Sequence, residues 1–327
     1  MLFAFALLSL LEGSSQSGNI PYKDALARDV MLPLAAAAYS TDTETCLGNL
    51  DSDYQLIRQV LVICDPINNS TCFGYVATSP SRNAAIVSFR GTVGSQQLED
   101  EIWDVGQEPR IPFVGGGNVA QYFVDVFNLL WTSGIKEALT STVRQYPNYQ
   151  VWVTGHSLGA AIASLTALYA ARTRVTASDN LLLLTFGQPR LGDSAFANAV
   201  DRIVPNAYRV VHARDVVPHG PPALFGFLHH MTEVFYENDM SVPEYMLCAD
   251  GDEDKHCSNS YLFATSIENH RWYFGKQVPF FGNNNCISNE RNTEFALTHN
   301  GSEEDLQRTN KLKALLALTE TLGQRSQ

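Results

Sequence analysis

Short apolar segments alternate along this chain with segments that have the apolar spacing of helices, and this alternation limits the fold more than any other feature. The apolar segments are rich in strand-forming residues, and they are residues 84–89, 151–154, 181–186 and 208–211. Helical patterns lie between and after them, at residues 119–143, 160–172 and 193–200. A strand that is apolar along its whole length is typical of a parallel sheet that helices cover on both faces. The sequence therefore predicts an α/β fold with a mostly parallel central sheet.

The charge and length of the chain exclude some classes of protein and favour a single domain. Its 22 Lys and Arg residues are outnumbered by 34 Asp and Glu residues, for a net charge of −12. Because nucleic acids are bound by clustered Lys and Arg side chains, we expect no nucleic acid partner. A chain of 327 residues has room for two domains, but α/β domains often reach this size and no Ser/Gly linker divides residues 18–290. We therefore expect one acidic globular domain over residues 18–290.

The two ends of the chain differ from this domain. Residues 2–11 are almost all apolar, and small or polar residues follow as far as Ser17. Such a run is too short to span a bilayer, which takes about 20 residues, but it suits a signal peptide. We expect residues 1–17 to be a signal peptide for secretion, with a buried N-terminal helix as the alternative. In residues 291–327, leucines at helical spacing predict a loosely packed helix or frayed tail, or else an amphipathic helix that docks on a partner or membrane.

Cysteines and sequons agree with export. The six cysteines allow 15 pairings, among which spacing alone does not decide. Cys64/Cys72 and Cys248/Cys257 are each close enough in sequence for a local loop, and Cys46/Cys286 would then be a candidate long-range closure. The sequons predict glycosylation at Asn68, Asn69 and Asn300. No metal site is expected, because no cysteines or histidines have zinc spacing and the acidic run 250–254 lacks the Gly and Glu of a calcium loop.

Residues 155–159 read GHSLG, which is a G-x-S-x-G motif in an informative setting. A strand-like segment precedes the motif and a run of small residues with good helix propensity follows it. This order of strand, sharp turn and helix is the context in which the motif forms a nucleophile elbow. We therefore predict that Ser157 is a nucleophile, whereas the structural alternative is an ordinary helix N-cap.

A serine nucleophile needs a general base, and the base needs an acid that orients it. In folds with this elbow both partners lie downstream, in the order acid and then histidine. Asp215 follows a predicted strand directly, whereas Asp193 and Asp201 lie in a helical pattern. Among seven downstream histidines, His270 lies at the boundary of a late apolar segment and is the predicted base. The structural alternatives are a solvated Asp215–Arg214 ion pair and a packed or helix-capping histidine.

Several stretches resemble the class 3 lipases, the fungal-type triacylglycerol lipase family of α/β-hydrolases. They run in the family's order over residues 30–290, and they are FRGT at 89–92, VTGHSLGAAIASL at 153–165, TFGQPRLGD at 185–193, RDVVP at 214–218, CSNS at 257–260 and NHRWYF at 269–274. The resemblance implies an α/β-hydrolase fold, a triad of Ser157, Asp215 and His270, and oxyanion donors at Thr92 and Leu158. It also implies the disulfides Cys46–Cys286, Cys64–Cys72 and Cys248–Cys257. The chain departs from the family pattern at Asn269, where an Asp is usual, and at Ala160, where Gly is commoner.

Members of this family carry a helical lid after FRGT, and residues 93–104 read VGSQQLEDEIWD here. On a helix, Leu98, Ile102 and Trp103 would share one side opposite the acidic residues 99–101, so they are the predicted lid contacts with lipid. A surface helix packed on the core is the alternative.

These expectations combine into a secreted serine hydrolase that cleaves acylglycerol esters at a lipid–water interface without a cofactor. A soluble or carbohydrate-linked esterase is the alternative enzyme, and a lipid-binding protein that keeps the fold is the alternative outside enzymes.

Overall fold

The computed structural model describes residues 20–65, 70–92, 104–249, 251, 253–261 and 264–287. Some sequence predictions lie outside these residues and remain predictions: the signal peptide 1–17, the tail 291–327, the sequons at Asn68, Asn69 and Asn300, and the lid residues Leu98, Ile102 and Trp103. Within the described part of the chain, no helix is long and apolar enough to cross a bilayer.

A central sheet of eight strands, in the order β1-β2-β3-β6-β7-β8-β9-β10, organises the fold. Its strands are β1 Gln55–Asp65, β2 Ser70–Ser79, β3 Ala84–Phe89, β6 Gln150–His156, β7 Leu181–Phe186, β8 Ala207–His212, β9 Glu233–Tyr236 and β10 Met246–Cys248. Two small antiparallel pairs lie outside it: β4 Arg110–Pro112 with β5 Asn118–Ala120, and β11 Trp272–Tyr273 with β12 Lys276–Gln277. The pairs from β3 to β9 are parallel and those at both edges are antiparallel. The predicted mostly parallel sheet is confirmed.

Helices cover both faces of this sheet, as the sequence predicts. They are α1 Asp24–Leu26, α2 Leu32–Ala37, α3 Thr43–Leu50, α4 Gln121–Leu130, α5 Lys136–Gln145, α6 Leu158–Arg172, α7 Ser194–Ile203, α8 Ile267–Arg271 and α9 Val278–Asn283. A π-helical turn, Ala27–Met31, joins α1 to α2. The helical pattern over residues 119–143 is not one helix, because Gly134 with φ 139° forms a kink between α4 and α5.

The sheet separates two hydrophobic cores, and β7 illustrates how. Leu181 and Leu183 pack in the core beneath α4–α7, whereas Leu182 and Leu184 pack in the core beneath α1–α3 and α9. All of them are at most 1% exposed. Since side chains alternate between the faces of a strand, a strand buried on both sides is apolar at most of its positions. This is the reason for the uninterrupted LLLL in the sequence.

Three disulfides link the described residues, and they join the same partners that the resemblance implies. Cys46–Cys286 connects α3 with the segment after α9 over 240 residues of sequence, while Cys64–Cys72 and Cys248–Cys257 close short loops. The long-range disulfide holds the first helices and the last described segment against the same face of the sheet.

Candidate active site

Ser157 lies in a sharp turn between the end of β6 and the start of α6. Its backbone has φ 62° and ψ −130°, a conformation that costs a non-glycine residue about 1–3 kcal/mol. The flanking glycines let the helix approach the sheet. A Cβ on Gly155 would lie 2.3 Å from the Gly159 carbonyl oxygen, and a Cβ on Gly159 would lie 2.1 Å from the Phe89 carbonyl oxygen. The geometry is therefore that of a nucleophile elbow rather than of an ordinary N-cap.

Asp215 and His270 form a buried, hydrogen-bonded pair beyond the carboxyl ends of the strands. The His270 Nδ1 atom lies 3.0 Å from each carboxylate oxygen of Asp215. Asp215 follows β8 and His270 lies in the last turn of α8; a parallel bridge between Asp215 and Ser266, just before α8, holds the two segments together. Asp215 is 0% exposed, so the alternative of a solvated ion pair with Arg214 does not apply.

Two further donors hold the Asp215 carboxylate. The Tyr273 hydroxyl donates to Oδ2 at 2.6 Å, and the Val217 backbone N–H donates to Oδ1 at 2.9 Å. Burial by itself raises the pKa of Asp215, but His270 and these two donors outweigh it, and the pKa is lowered. A carboxylate that stays ionised is what orients the imidazole and stabilises it once it is protonated.

Gly187, directly after β7, packs against the pair. A Cβ on Gly187 would lie 2.8 Å from His270 Nδ1 and 2.9 Å from Asp215 Oδ2, and its φ of 56° also favours glycine. Neither Gly187 nor Tyr273 was assigned a role from the sequence, although both lie in stretches that resemble the family. The resemblance to the family therefore includes the segments that contain Gly187 and Tyr273, but it does not indicate their contacts with Asp215 and His270.

The atoms that the sequence predicts to react are Ser157 Oγ and His270 Nε2. Both are buried, and neither has a hydrogen-bond partner among the described residues. A hydrogen bond between a serine and its general base often forms only when the substrate is bound. With His270 Nδ1 facing Asp215, the Nε2 atom remains to take a proton.

The other downstream histidines of the described chain have partners that fix loops instead. They are His212 with the Asn269 and Trp272 carbonyls, His219 with those of Asp215 and Ser258, His229 with that of Pro218, His230 with that of Met231, and the exposed His256 with Asp254. His299 lies outside the described residues. Asn269, the departure from the family pattern, has its side-chain oxygen 3.3 Å from the Arg214 backbone N–H and so contacts the loop that carries Asp215.

The predicted oxyanion donors lie on two segments that meet at the elbow. Leu158 is the first residue of α6, where backbone N–H groups have no acceptor within the helix. Thr92 is the last residue described before the gap at 93–103, and it follows β3, whose end is in contact with Gly159. No group of three or more metal-binding side chains was found in the described segments.

The buried histidines predict acid lability. Burial, followed by the neighbouring His270, lowers the pKa of His156 to about 3, and burial with Arg209 lowers that of His230 to about 3. Because both values lie below the unfolded-state value of about 6.5, the unfolded chain binds more protons and stability falls as the pH falls through this window.

We expect the free energy of unfolding to drop between pH 6.5 and pH 4, with each of these histidines contributing about 1.4 kcal/mol per pH unit in the middle of the window. Urea unfolding at several pH values measures this slope. His230→Gln should make it shallower, whereas the matched change at the exposed His256 should not. Equal slopes in both variants would contradict the assignment.

Known proteins with similar sequences or folds were compared with this chain. The family model described as lipase (class 3) matches residues 86–225. Lipase ZK262.3 of Caenorhabditis elegans is 36% identical over 321 residues, 87% of this chain and 90% of that protein. Secreted mono- and diacylglycerol lipase 1 of Fusarium solani is 31% identical over 220 residues, 65% of this chain and 63% of that protein. The solved structure of Rhizomucor miehei triacylglyceride lipase has a TM-score of 0.67 and 32% identity, and covers 78% of this chain and 95% of that one.

Proposed function

The chain belongs to the class 3 lipase family, and we propose that Ser157, Asp215 and His270 carry out its ester hydrolysis. The observation that supports this assignment best is the buried His270–Asp215 pair, with Nδ1 3.0 Å from both carboxylate oxygens. An imidazole held in this way carries its proton on Nδ1, which leaves the Nε2 lone pair free for a serine hydroxyl.

The proposed reaction proceeds in two halves through an acyl-enzyme. His270 Nε2 takes the proton of Ser157 as Oγ attacks the ester carbonyl, and the imidazolium then gives that proton to the leaving alcohol. Water repeats the sequence: its proton passes to His270, its oxygen attacks the acyl carbon, and Ser157 leaves with the proton. Asp215 keeps its negative charge throughout and stabilises the imidazolium.

Negative charge that develops on the substrate oxygen needs donors already in place. In the proposal these donors are the Leu158 N–H at the start of α6 and the N–H or hydroxyl of Thr92. Support for Leu158 comes from its position at the start of α6. The first N–H groups of a helix point out of its N-terminal end and favour an anion there. The segment that ends at Thr92 is brought close because α6 contacts Phe89 and Arg90 through Gly159.

The proposed substrates are acylglycerols, and the proposed location is outside the cell. Support for the substrate comes from relatives whose names specify mono-, di- and triacylglycerol. Support for export comes from the three disulfides, which persist in oxidising compartments, and from a relative named as secreted. The signal peptide over residues 1–17, glycosylation at the sequons and the lid over residues 93–104 are parts of this proposal that rest on the sequence alone.

One experiment separates the proposed lipase from the two alternatives. Hydrolysis of a short-chain triacylglycerol is measured below and above its solubility limit, with Ser157→Ala as the blank, and a feruloyl ester of a sugar is measured in parallel. A rate that rises when the emulsion forms supports a lipase that acts at an interface. A rate that follows only dissolved ester, or a preference for the feruloyl ester, would favour the esterase, and no turnover of any ester would favour the lipid-binding protein.

A further inference from the structure

A chain of hydrogen bonds runs beneath the site through two side chains that the triad does not use. The Gly91 backbone lies against the Tyr39 hydroxyl. That hydroxyl lies 2.8 Å from His156 Nδ1, and His156 Nε2 lies 2.7 Å from the His270 carbonyl oxygen. The fit is tight, because a Cβ on Gly91 would lie only 2.2 Å from the Tyr39 oxygen.

The direction of each hydrogen bond follows from the chemistry of its ends. A carbonyl oxygen only accepts, so His156 Nε2 must carry the proton. In the neutral ring Nδ1 is then the acceptor, and the Tyr39 hydroxyl donates to it. Both hydrogen bonds are therefore made with one tautomer of the His156 ring. Both side chains are buried, at 3% exposure for Tyr39 and 1% for His156.

Each end of this chain is a segment that the proposed reaction needs. Gly91 lies between Arg90 and Thr92 in the segment that follows β3, which is the proposed oxyanion segment. The other end is the backbone of His270 itself, and His156 is the residue before Ser157. The His156 ring also stacks on the His270 ring, with centroids 4.5 Å apart and planes at 26°.

The stacking makes the charge state of His156 matter. A positive charge in that ring would oppose the imidazolium that forms on His270 during the reaction. Burial, together with the nearby His270, lowers the pKa of His156, so the ring stays neutral under ordinary conditions.

We propose that Tyr39 and His156 are positioning residues, which fix the oxyanion segment at Gly91 and the backbone of His270 relative to Ser157 through one hydrogen-bonded chain. Neither residue is hydrogen-bonded to Ser157 Oγ or to His270 Nε2. This inference rests on the proposed function, because it assigns work to the same triad and oxyanion segment.

Tyr39→Phe tests the first half of the chain, since it removes the single oxygen that contacts Gly91 and donates to His156 Nδ1. We expect kcat to fall about tenfold to a hundredfold with KM changed less than twofold, a smaller loss than the 10²–10³ for an oxyanion donor itself. The matched control is Tyr75→Phe. The Tyr75 hydroxyl is also buried and donates at 2.7 Å to the Leu34 carbonyl, which belongs neither to the triad nor to the oxyanion segment. We expect that variant to lose stability and to keep kcat.

His156 variants test the second half. Gln places its amide near the position of the imidazole Nε2 and can still donate to the His270 carbonyl, whereas Asn reaches only as far as Nδ1. We therefore expect His156→Gln to lose less kcat than His156→Asn. If the two residues act as one chain, the double variant Tyr39→Phe/His156→Asn should lose much less than the product of the two single losses.

The outcomes separate this inference from the proposed function. If wild type hydrolyses esters and Ser157→Ala does not, the triad stands. A kcat for Tyr39→Phe within twofold of the Tyr75→Phe value, or multiplicative losses in the double variant, would then overturn the positioning role alone. Any loss must also persist after correction for the folded fraction, measured by thermal unfolding, because a loss that vanishes on correction would show only a structural role.

Discussion

Replacing Ser157 by alanine is expected to lower kcat for ester hydrolysis about a millionfold, because the acyl-enzyme cannot form without the hydroxyl oxygen. The change should leave the fold intact, since Ser157 Oγ has no hydrogen-bond partner in the described structure whose loss would cost stability. The measurement is turnover of a chromogenic fatty-acyl ester, with a serine-directed phosphonate as a second probe that should label wild type and not the variant.

Ser164→Ala is the matched control for this prediction. Ser164 lies in α6, the helix that follows Ser157, is 0% exposed, and its hydroxyl lies 2.7 Å from the Gln188 side-chain oxygen. We expect this variant to be less stable than wild type and to keep kcat within a fewfold. Hydrolysis that survives Ser157→Ala, or phosphonate labelling of the variant, would contradict the assignment of the nucleophile.

Asp215→Asn is the second large effect, with an expected loss of about 10⁴ in kcat. The asparagine amide can present an N–H toward His270 Nδ1, which favours the tautomer with the proton on Nε2, so the base can no longer accept from Ser157. It also cannot offer negative charge to the imidazolium. KM should change little, because Asp215 contacts His270, Tyr273 and Val217 rather than the acyl chain.

The other aspartates that the sequence offered as the acid provide the controls. Asp193 caps α7 by accepting from the Phe196 N–H, and Asp201 accepts from the Met231 N–H. Asp193→Asn and Asp201→Asn should therefore lower stability by about 1 kcal/mol, within the usual range for lost caps and hydrogen bonds, and leave kcat nearly unchanged. A larger loss of kcat in either of them than in Asp215→Asn would show that Asp215 is not the acid.

Strands buried on both faces are the elements that the sequence predicts most accurately. β3 and β7 span the same residues as the apolar segments 84–89 and 181–186, because a strand that contacts two cores is apolar at most of its positions; the exceptions, Ser88 and Thr185, are buried and hydrogen-bonded. β1 and β2 were not predicted. They form the antiparallel edge of the sheet, and in β1 Leu61 and Ile63 are exposed although they lie in the continuous apolar run 60–64, so the apolar pattern there does not report burial.

Some residues of the candidate site could be predicted from the sequence and others could not. Ser157 and Asp215 could be selected from motif order and from their positions after predicted strands, since the carboxyl ends of parallel strands meet at one edge. His270 could be selected from motif order and from its place at the boundary of a late apolar segment. Tyr39 could not be selected: it contacts His156 across 117 residues of sequence, and no local pattern marks a tyrosine whose partner is set by packing. Long-range polar contacts of this kind depend on the folded structure, which spacing in the chain does not encode.

The backbone at Ser157 has an evolutionary consequence. A residue with φ 62° and ψ −130° would be more stable as glycine, which adopts such angles at little steric cost. Selection for stability alone would therefore remove the serine. Its presence in a strained turn identifies a position where the chain sacrifices part of its folding free energy for reactivity. A protein that only sequestered lipid would gain nothing from that sacrifice, so the backbone angles themselves argue for a working enzyme.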